Sequence, residues 1–294
     1  MPIPLFEGRL AVVAPCGPFN PDRFAAGLAL AEAAGLQLEP LPGLLQPHRY
    51  LAAHDDHRAE QLIEALTADR YAGVWIARGG YGLTRILDRL EGLSLPPERP
   101  VLGFSDVTAL FCALHRLGCG PLIHAPVVHS LSSTDAGDRQ QLWGLLRGER
   151  PGPLAGRSWI GGRAEGWLCG GNLCLLASLC GTPWQLDATG AILVLEEVGE
   201  PPYRVDRMLQ QLRSAGVLDG VAGIAVGELV GCAAPEGADW SIHDVIREHL
   251  APLGVPVVGE LPIGHGARNR PFAWGAPAQL GDGTLTWSPP LHVS

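Results

Sequence analysis

The sequence has no CxxC pair among its seven cysteines (Cys16, Cys112, Cys119, Cys169, Cys174, Cys180 and Cys232), and their number is odd. That pattern argues against a disulfide framework or a thiolate zinc site. Most of these thiols sit in apolar runs, so they read as small core residues of a reducing compartment. A polybasic run is also missing, and the formal net charge is −9. Binding nucleic acid requires a basic face against phosphate, so this balance argues against that class. No apolar run reaches the roughly 20 residues that cross a bilayer. The start, MPIPLFEGRLAVVAPCGPF, has prolines and Glu7 where a signal peptide carries a basic start and a long apolar core. The expectation is a soluble, cytoplasmic protein with no membrane partner. Internal repeats and low-complexity tracts are absent too.

What is present is an ordinary globular composition: 294 residues, 47% hydrophobic and 17% charged. That is enough chain for one large or two medium domains with a substantial core. The first half alternates buried-strand patterns (RLAVVAP, LQLEPLPG, AGVWIARGG, RPVLGFSD, PLIHAPVVHSL) with helical ones. The helical stretches are DRFAAGLALAEAAG, HDDHRAEQLIEAL, YGLTRILDRL, VTALFCALHRLG and DRQQLWGLLRG. Strict alternation predicts an α/β fold with a parallel sheet covered on both faces. Residues 1–148 are expected as this N-terminal domain. Over residues 149–166 the pattern dissolves into Pro, Gly and Arg, which predicts a linker. Residues 167–294 are expected as a smaller α/β domain with a β-rich tail, the tail being a hairpin turned at Gly281-Asp282-Gly283.

In a parallel sheet, sites form beyond the C-terminal ends of the strands. Ser105, the pair Glu196 and Glu197, and His265 each follow an apolar strand-like run. Serine, carboxylate and histidine are the groups that activate a hydroxyl near neutral pH. Ser105 stands between an apolar run and a helix start, where an oxygen nucleophile is lifted off the sheet beside free helix N–H groups. The alternative at that junction is that Ser105 or Asp106 caps the helix. The turn Arg78-Gly79-Gly80-Tyr81-Gly82 could cradle a phosphate or supply a backbone oxyanion donor, but its spacing matches neither common nucleotide-binding glycine motif. His48, His54, Asp55, Asp56 and His57 form a candidate metal cluster, although acids at a helix start suit the helix dipole equally. No metal or cofactor is expected. Trp184 reads as a packing or pocket residue.

Several long motifs in order resemble one family. They are ARGGYGLTRIL; GFSD followed by TAL; RAEGWLCGGNL with SLCGTPW; ILVLEEVGEPPYRVDRMLQQL; and GHG near the C-terminus. Together they are similar to the LD-carboxypeptidases, a family of serine peptidases, over nearly the whole chain. The resemblance implies Ser105 as nucleophile, Glu196 as the acid that orients the histidine, and His265 as general base and acid. Glu197 is the neighbouring candidate, and a strand can turn only one of the two toward His265. An oxyanion hole is implied from the N–H of Asp106 with that of Gly79 or Gly80, with Gly79 and Tyr81 at the substrate. Val107 replaces the second glycine of an ordinary nucleophile elbow, which sets the chain apart from the α/β-hydrolases.

The implied reaction is hydrolysis of the bond from an L-centre, meso-diaminopimelate or similar, to a terminal D-alanine. The implied substrate is a muropeptide tetrapeptide in cytoplasmic wall recycling, and the implied assembly is a homodimer. Arg78, Arg204, Arg268 and Arg270 are candidates for the substrate carboxylate. Two alternatives stay open: a microcin-immunity-type peptidase acting on peptide–nucleotide or acyl-sulfamoyl adenylate conjugates, and a non-catalytic nucleotide-binding protein.

Overall fold

The computed structural model describes residues 7–289; residues 1–6 and 290–294, the outer ends of the two expected domains, lie outside it. The chain divides into two compact units, with the boundary between Glu149 and Arg150.

The N-terminal unit runs β1 (Arg9–Val13), α1 (Pro21–Ala33), β2 (Gln37–Pro40), α2 (Asp55–Thr67), β3 (Gly73–Ile76), β4 (Val101–Gly103), α3 (Val107–Arg116), β5 (Leu122–His124) and α4 (Ala136–Leu146). These strands pair in parallel in the order β5-β4-β3-β1-β2. β3 and β4 are buried along their whole length, as a sheet covered on both faces requires. Trp75 in β3 is fully buried, and its indole N–H donates to the Pro126 carbonyl at 2.9 Å, so the burial strands no polar group. Helix starts are fixed locally: the Asn20 side chain caps α1 with Pro21 in the first turn, and Asp135 caps α4. The strand order reverses between β1 and β3. In such sheets, sites form outside the C-terminal ends of the strands at that switch point.

The C-terminal unit runs β6 (Leu154–Ala155), β7 (Arg157–Ile160), β8 (Arg163–Asn172), α5 (Leu173–Ser178), β9 (Ala191–Val198), α6 (Pro202–Ser214), β10 (Gly223–Val230), α7 (Ile242–Leu250), β11 (Val257–Gly259), β12 (Phe272–Ala273), β13 (Pro277–Gly281) and β14 (Thr284–Trp287). Its eight-stranded sheet has the order β6-β14-β13-β8-β9-β10-β11-β7. The centre, β8-β9-β10-β11, is parallel, and antiparallel strands close both sides. The β13–β14 hairpin turns at Asp282-Gly283, in the expected tail. α6 buries Val205, Leu209 and Leu212 along one face, and a Ser241–Asp244 capping box starts α7.

Four stretches differ from expectation. YGLTRILDRL forms two 3-10 turns, Leu83–Arg85 and Leu87–Leu90, because Ile86 at φ −125° interrupts the helical path. Residues 149–166, expected as a linker, hold β6, β7 and the start of β8 instead; these are largely exposed strands whose Gly, Pro and Arg content reads as loop. The strand in PLIHAPVVHSL ends at His124 and is followed by a 3-10 turn at Val128–Ser130. The strand before His265 ends at Gly259, where Glu260 takes φ 59° and turns the chain. All seven cysteines are free thiols, and Cys16, Cys112, Cys169 and Cys232 are buried. Among the described residues no helix is long and apolar enough to cross a membrane.

Candidate active site

In the N-terminal unit, β4 ends at Gly103 and α3 begins at Val107, so the chain reverses within three residues. Ser105 makes the turn at φ 68°, in the left-handed region. A residue with a Cβ is held there at a cost of about 1–3 kcal/mol, which surrounding structure must overcome. Of the two residues that could cap the helix, Asp106 does not. Asp106 occupies the N-cap position with helical angles, and its side chain makes no capping bond. Its buried carboxylate instead accepts the Leu83 N–H at 3.0 Å, tying the junction to the turn that follows β3. Burial pushes the Asp106 carboxyl up to about 6, against the Leu83 N–H, the Cys16 thiol and the Arg58 charge.

Gly79 lies against Ser105: a Cβ at position 79 would stand 2.9 Å from the Ser105 Cβ and 3.1 Å from its Oγ. Only a residue without a side chain fits there unstrained. The Gly79 carbonyl accepts the Gly17 N–H at 3.1 Å, joining the loops that leave β1 and β3. Since the peptide bond is trans, the Gly80 N–H points the opposite way from that carbonyl. Gly80 has φ 105°. Tyr81 is 45% exposed, with its ring centroid 5.8 Å from that of Tyr50.

Beneath these loops lies a buried cation. Arg58, 1% exposed, donates to the carbonyls of Pro15 and Gly82 and pairs with Asp55 at 2.6 Å. Asp55 also pairs with Arg85 at 2.6 Å. The Arg85 hydrogen bond, helped by Arg58 and opposed by burial, holds the Asp55 carboxyl down to about 2. The candidate metal cluster is thus spent on other partners. Asp55 and Asp56 pair with arginines, the His48 and His54 rings stack with centroids 3.8 Å apart, and His57 contacts the Gly43 carbonyl. Among the described residues no group of three or more His, Cys, Asp or Glu side chains could hold a metal ion.

In the C-terminal unit, β9 carries Glu196 and Glu197 on opposite faces. Glu196, fully buried, places Oε2 2.6 Å from His265 Nδ1. Its other oxygen, Oε1, is buried without a hydrogen-bond partner among the described residues. Glu197 serves a different element: it accepts the Cys174 N–H in the first turn of α5 at 2.8 Å, and the Asn172 side chain at 3.2 Å. Burial raises the Glu197 carboxyl above its ordinary value, partly offset by these bonds. The alternation therefore gives Glu196 to the histidine and Glu197 to the helix start.

Burial acts on His265 to lower its pKa, and this is the largest single influence. The Glu196 hydrogen bond and the charges of Glu196, Glu197 and Glu228 together outweigh it and hold the imidazole above its ordinary value. Glu228 is not among the residues nominated from sequence, although it too closes an apolar run, VAGIAVGEL. The strand-end criterion that singled out Ser105, Glu196 and His265 applies to it equally. A cavity of about 670 Å³ opens at the ends of β10 and β11, lined by Glu228, Gly266, Arg268, Arg270, Trp159 and Leu261 among others. Of the four candidate arginines, Arg78 donates to the Pro18 carbonyl and Arg204 pairs with Glu200 at 3.2 Å. Trp184 is 5% exposed and packs in the core.

Comparison with known proteins agrees with these motifs. Family models for the LD-carboxypeptidase N-terminal and C-terminal domains match residues 10–125 and 165–280. The chain is 36% identical over 297 residues to the murein tetrapeptide carboxypeptidase of Pseudomonas aeruginosa, covering 96% of this chain and 95% of that protein. A crystal structure of muramoyltetrapeptide carboxypeptidase from Oxalobacter formigenes superposes with a TM-score of 0.85 at 26% identity, over 95% of this chain and 97% of the other. The self-immunity protein against microcin C7 shares the fold at 17% identity. Its active-site mutant with a serine, an asparagine and a lysine changed to alanine superposes with a TM-score of 0.87 over 100% of this chain and 99% of that one. With both family domains matched in order and a relative aligned along nearly its full length, the chain belongs to the LD-carboxypeptidase family of serine peptidases.

Proposed function

We propose that the chain is a serine LD-carboxypeptidase that releases D-alanine from the L-centre, meso-diaminopimelate or a similar residue, of muropeptide tetrapeptides recycled in the cytoplasm, working as a homodimer without metal or cofactor. Ser105 is the nucleophile, Glu196 orients His265, and His265 is the general base and acid. The observation that carries the proposal is Ser105 itself: a left-handed serine with a glycine backbone pressed against its hydroxyl is strain of the kind stored at nucleophile turns.

The chemistry follows from the bonding. Glu196 accepts the Nδ1–H of His265, which leaves Nε2 as the basic nitrogen. Nε2 takes the Ser105 proton as Oγ attacks the carbonyl carbon. The oxyanion that forms is held by the N–H of Asp106 and that of Gly80, with Gly79 and Tyr81 beside the substrate. His265 then gives its proton to the departing D-alanine nitrogen, leaving an acyl-enzyme. In the second half, Nε2 takes a proton from water, hydroxide adds to the ester carbonyl, and the proton returns to Ser105 Oγ as the shortened peptide leaves. The terminal carboxylate of the substrate calls for a guanidinium. Arg268 and Arg270 are the two candidates that line the cavity beside the His265 loop.

One observation weighs against the peptide–nucleotide alternative. The microcin self-immunity protein carries a lysine among its mutated active-site residues. This chain contains no lysine at all. The direct test is incubation with L-Ala-D-Glu-meso-Dap-D-Ala and detection of D-alanine by mass spectrometry. Wild type should release it and Ser105→Ala should not. No release by wild type, under conditions where the Pseudomonas relative works, overturns the proposal.

A further inference from the structure

The segment carrying His265 is gripped from two sides by carboxylates, and only one of them touches the imidazole. On one side Glu196, from β9, bonds Nδ1. On the other, Glu228 in β10 holds the backbone at two points that bracket the histidine. Its N–H donates to the Ile263 carbonyl at 2.7 Å, two residues before His265. Its carboxylate accepts the Gly266 N–H at 2.8 Å, one residue after. The sequence around the histidine is fitted to this grip. A Cβ at Gly264 would stand 3.2 Å from Glu196 Oε2 and 3.2 Å from the Glu228 Cβ, and one at Gly266 would collide with Glu228 Oε2. Glycine on both sides of His265 is what lets the two acids close on the loop.

We propose that Glu228 is a positioning residue for His265: its carboxylate fixes the Gly264–Gly266 backbone so that the imidazole keeps its bond to Glu196, and its charge favours the imidazolium that forms during the reaction. This rests on the reading of His265 as general base. The strand before His265 ends at Gly259, so the histidine stands on a loop rather than on the sheet. A carboxylate bound to a backbone N–H makes a charge-assisted hydrogen bond, roughly twice as strong as a neutral one. Charged groups acting on the imidazole include Glu196 and Glu197 from β9 and Glu228 from β10, and the cavity that Glu228 lines also holds the cations Arg268 and Arg270. Glu228 is the member of that set that also lines the cavity, so its negative charge faces the space next to the histidine.

Two substitutions separate the two contributions. Glu228→Gln keeps an acceptor for the Gly266 N–H and removes the charge; Glu228→Ala removes both. His265 is followed by NMR in protein labelled with ¹⁵N-histidine, its signal assigned by its loss in His265→Gln, and this readout needs no turnover. The titration midpoint of His265 should fall by about half a pH unit in both variants, because a negative neighbour is gone. The acid limb of the kcat/KM profile should move with it. In Glu228→Ala, kcat should drop about tenfold with KM near wild type, and Glu228→Gln should recover most of it, as expected when a hydrogen bond that orients a catalytic group is lost and then restored. Thermal melting of both variants keeps misfolding apart from these effects. An unmoved His265 midpoint in both variants, or a glutamine variant no better in kcat than the alanine one, overturns the proposal. If the midpoint moves while wild type releases no D-alanine, the positioning role of Glu228 stands and the carboxypeptidase reading falls.

Discussion

The nominated groups of the N-terminal unit are held by backbone, and those of the C-terminal unit by carboxylates. Around Ser105 the distinctive features are a left-handed φ and a glycine too close to accept a side chain. The charges there, Arg58, Asp55 and Asp106, are turned inward as struts under the loops. Around His265 the charges are the working parts: Glu196 bonds the ring, Glu228 bonds the backbone, and both act on its proton affinity. Substitutions that alter backbone or shape should therefore damage the first region, and substitutions that alter charge should retune the second.

The largest effects remove the reacting groups themselves. Ser105→Ala and His265→Ala should each lower kcat by about 10,000-fold or more, and the double variant should be little worse than either, because groups acting as a unit are not additive. Additive losses would show that the two groups do not act as a unit. Glu196→Gln should cost about 1,000-fold, since an amide can present the wrong hydrogen-bond partner to Nδ1. Its neighbour sharpens the contrast. Glu197→Gln should leave kcat within severalfold of wild type but lower stability by about 1–3 kcal/mol, because it disturbs the buried bonds to Cys174 and Asn172. Equal kinetic losses in the two would contradict the division of labour on β9.

Next in size is Gly79→Ala, for which kcat should fall about 100-fold with a folded protein, because a Cβ 2.9 Å from that of Ser105 displaces the nucleophile and the Gly80 N–H that follows; unchanged kcat would show that the close approach of Gly79 to Ser105 has no catalytic part. A pH effect comes next. His265 must be neutral to act as base, and its pKa is raised, so kcat/KM should climb with pH through a midpoint above the ordinary histidine value. Smallest is a stability effect in the N-terminal struts. The folded Asp55 carboxyl is depressed to about 2, below its ordinary 3.8, so its contribution is present above about pH 4 and is lost as pH falls toward 2. Thermal melts in that window should show the loss, and Asp55→Asn should flatten it. Activity should survive EDTA, since the acids of the His48–His57 stretch are engaged with arginines; recovery on added zinc would reverse that assignment.

Much of this was legible in sequence where local signals agree. β4 reads clearly because VLG is apolar and stops at Ser105, and α6 because its apolar residues recur at helical spacing. Strand alternation stated that only one of Glu196 and Glu197 could face His265, and the family resemblance pointed to Glu196; alternation alone leaves the choice open because it says that neighbours face opposite ways and not which way the strand is turned. Leu83, Ile86, Leu87 and Leu90 are buried at spacings that suit a helix, and 3-10 turns use the same spacing. Residues 149–166 lack the apolar runs of core strands because β6 and β7 lie at the two edges of the sheet. Glu228 carried the same strand-end signal as Glu196, but its partner is a backbone N–H, and a backbone donor leaves no mark in sequence to set it apart from other strand-end acids.

A nucleophilic Ser105 must carry the tripeptide as an acyl-enzyme during turnover. Rapid quenching of wild type with the tetrapeptide, followed by digestion and mass spectrometry, reads it directly. The peptide containing Ser105 should gain the mass of the tripeptide acyl group, and His265→Ala should show no such gain. Release of D-alanine with the acyl group on another residue, or with no adduct at any quench time, would contradict it.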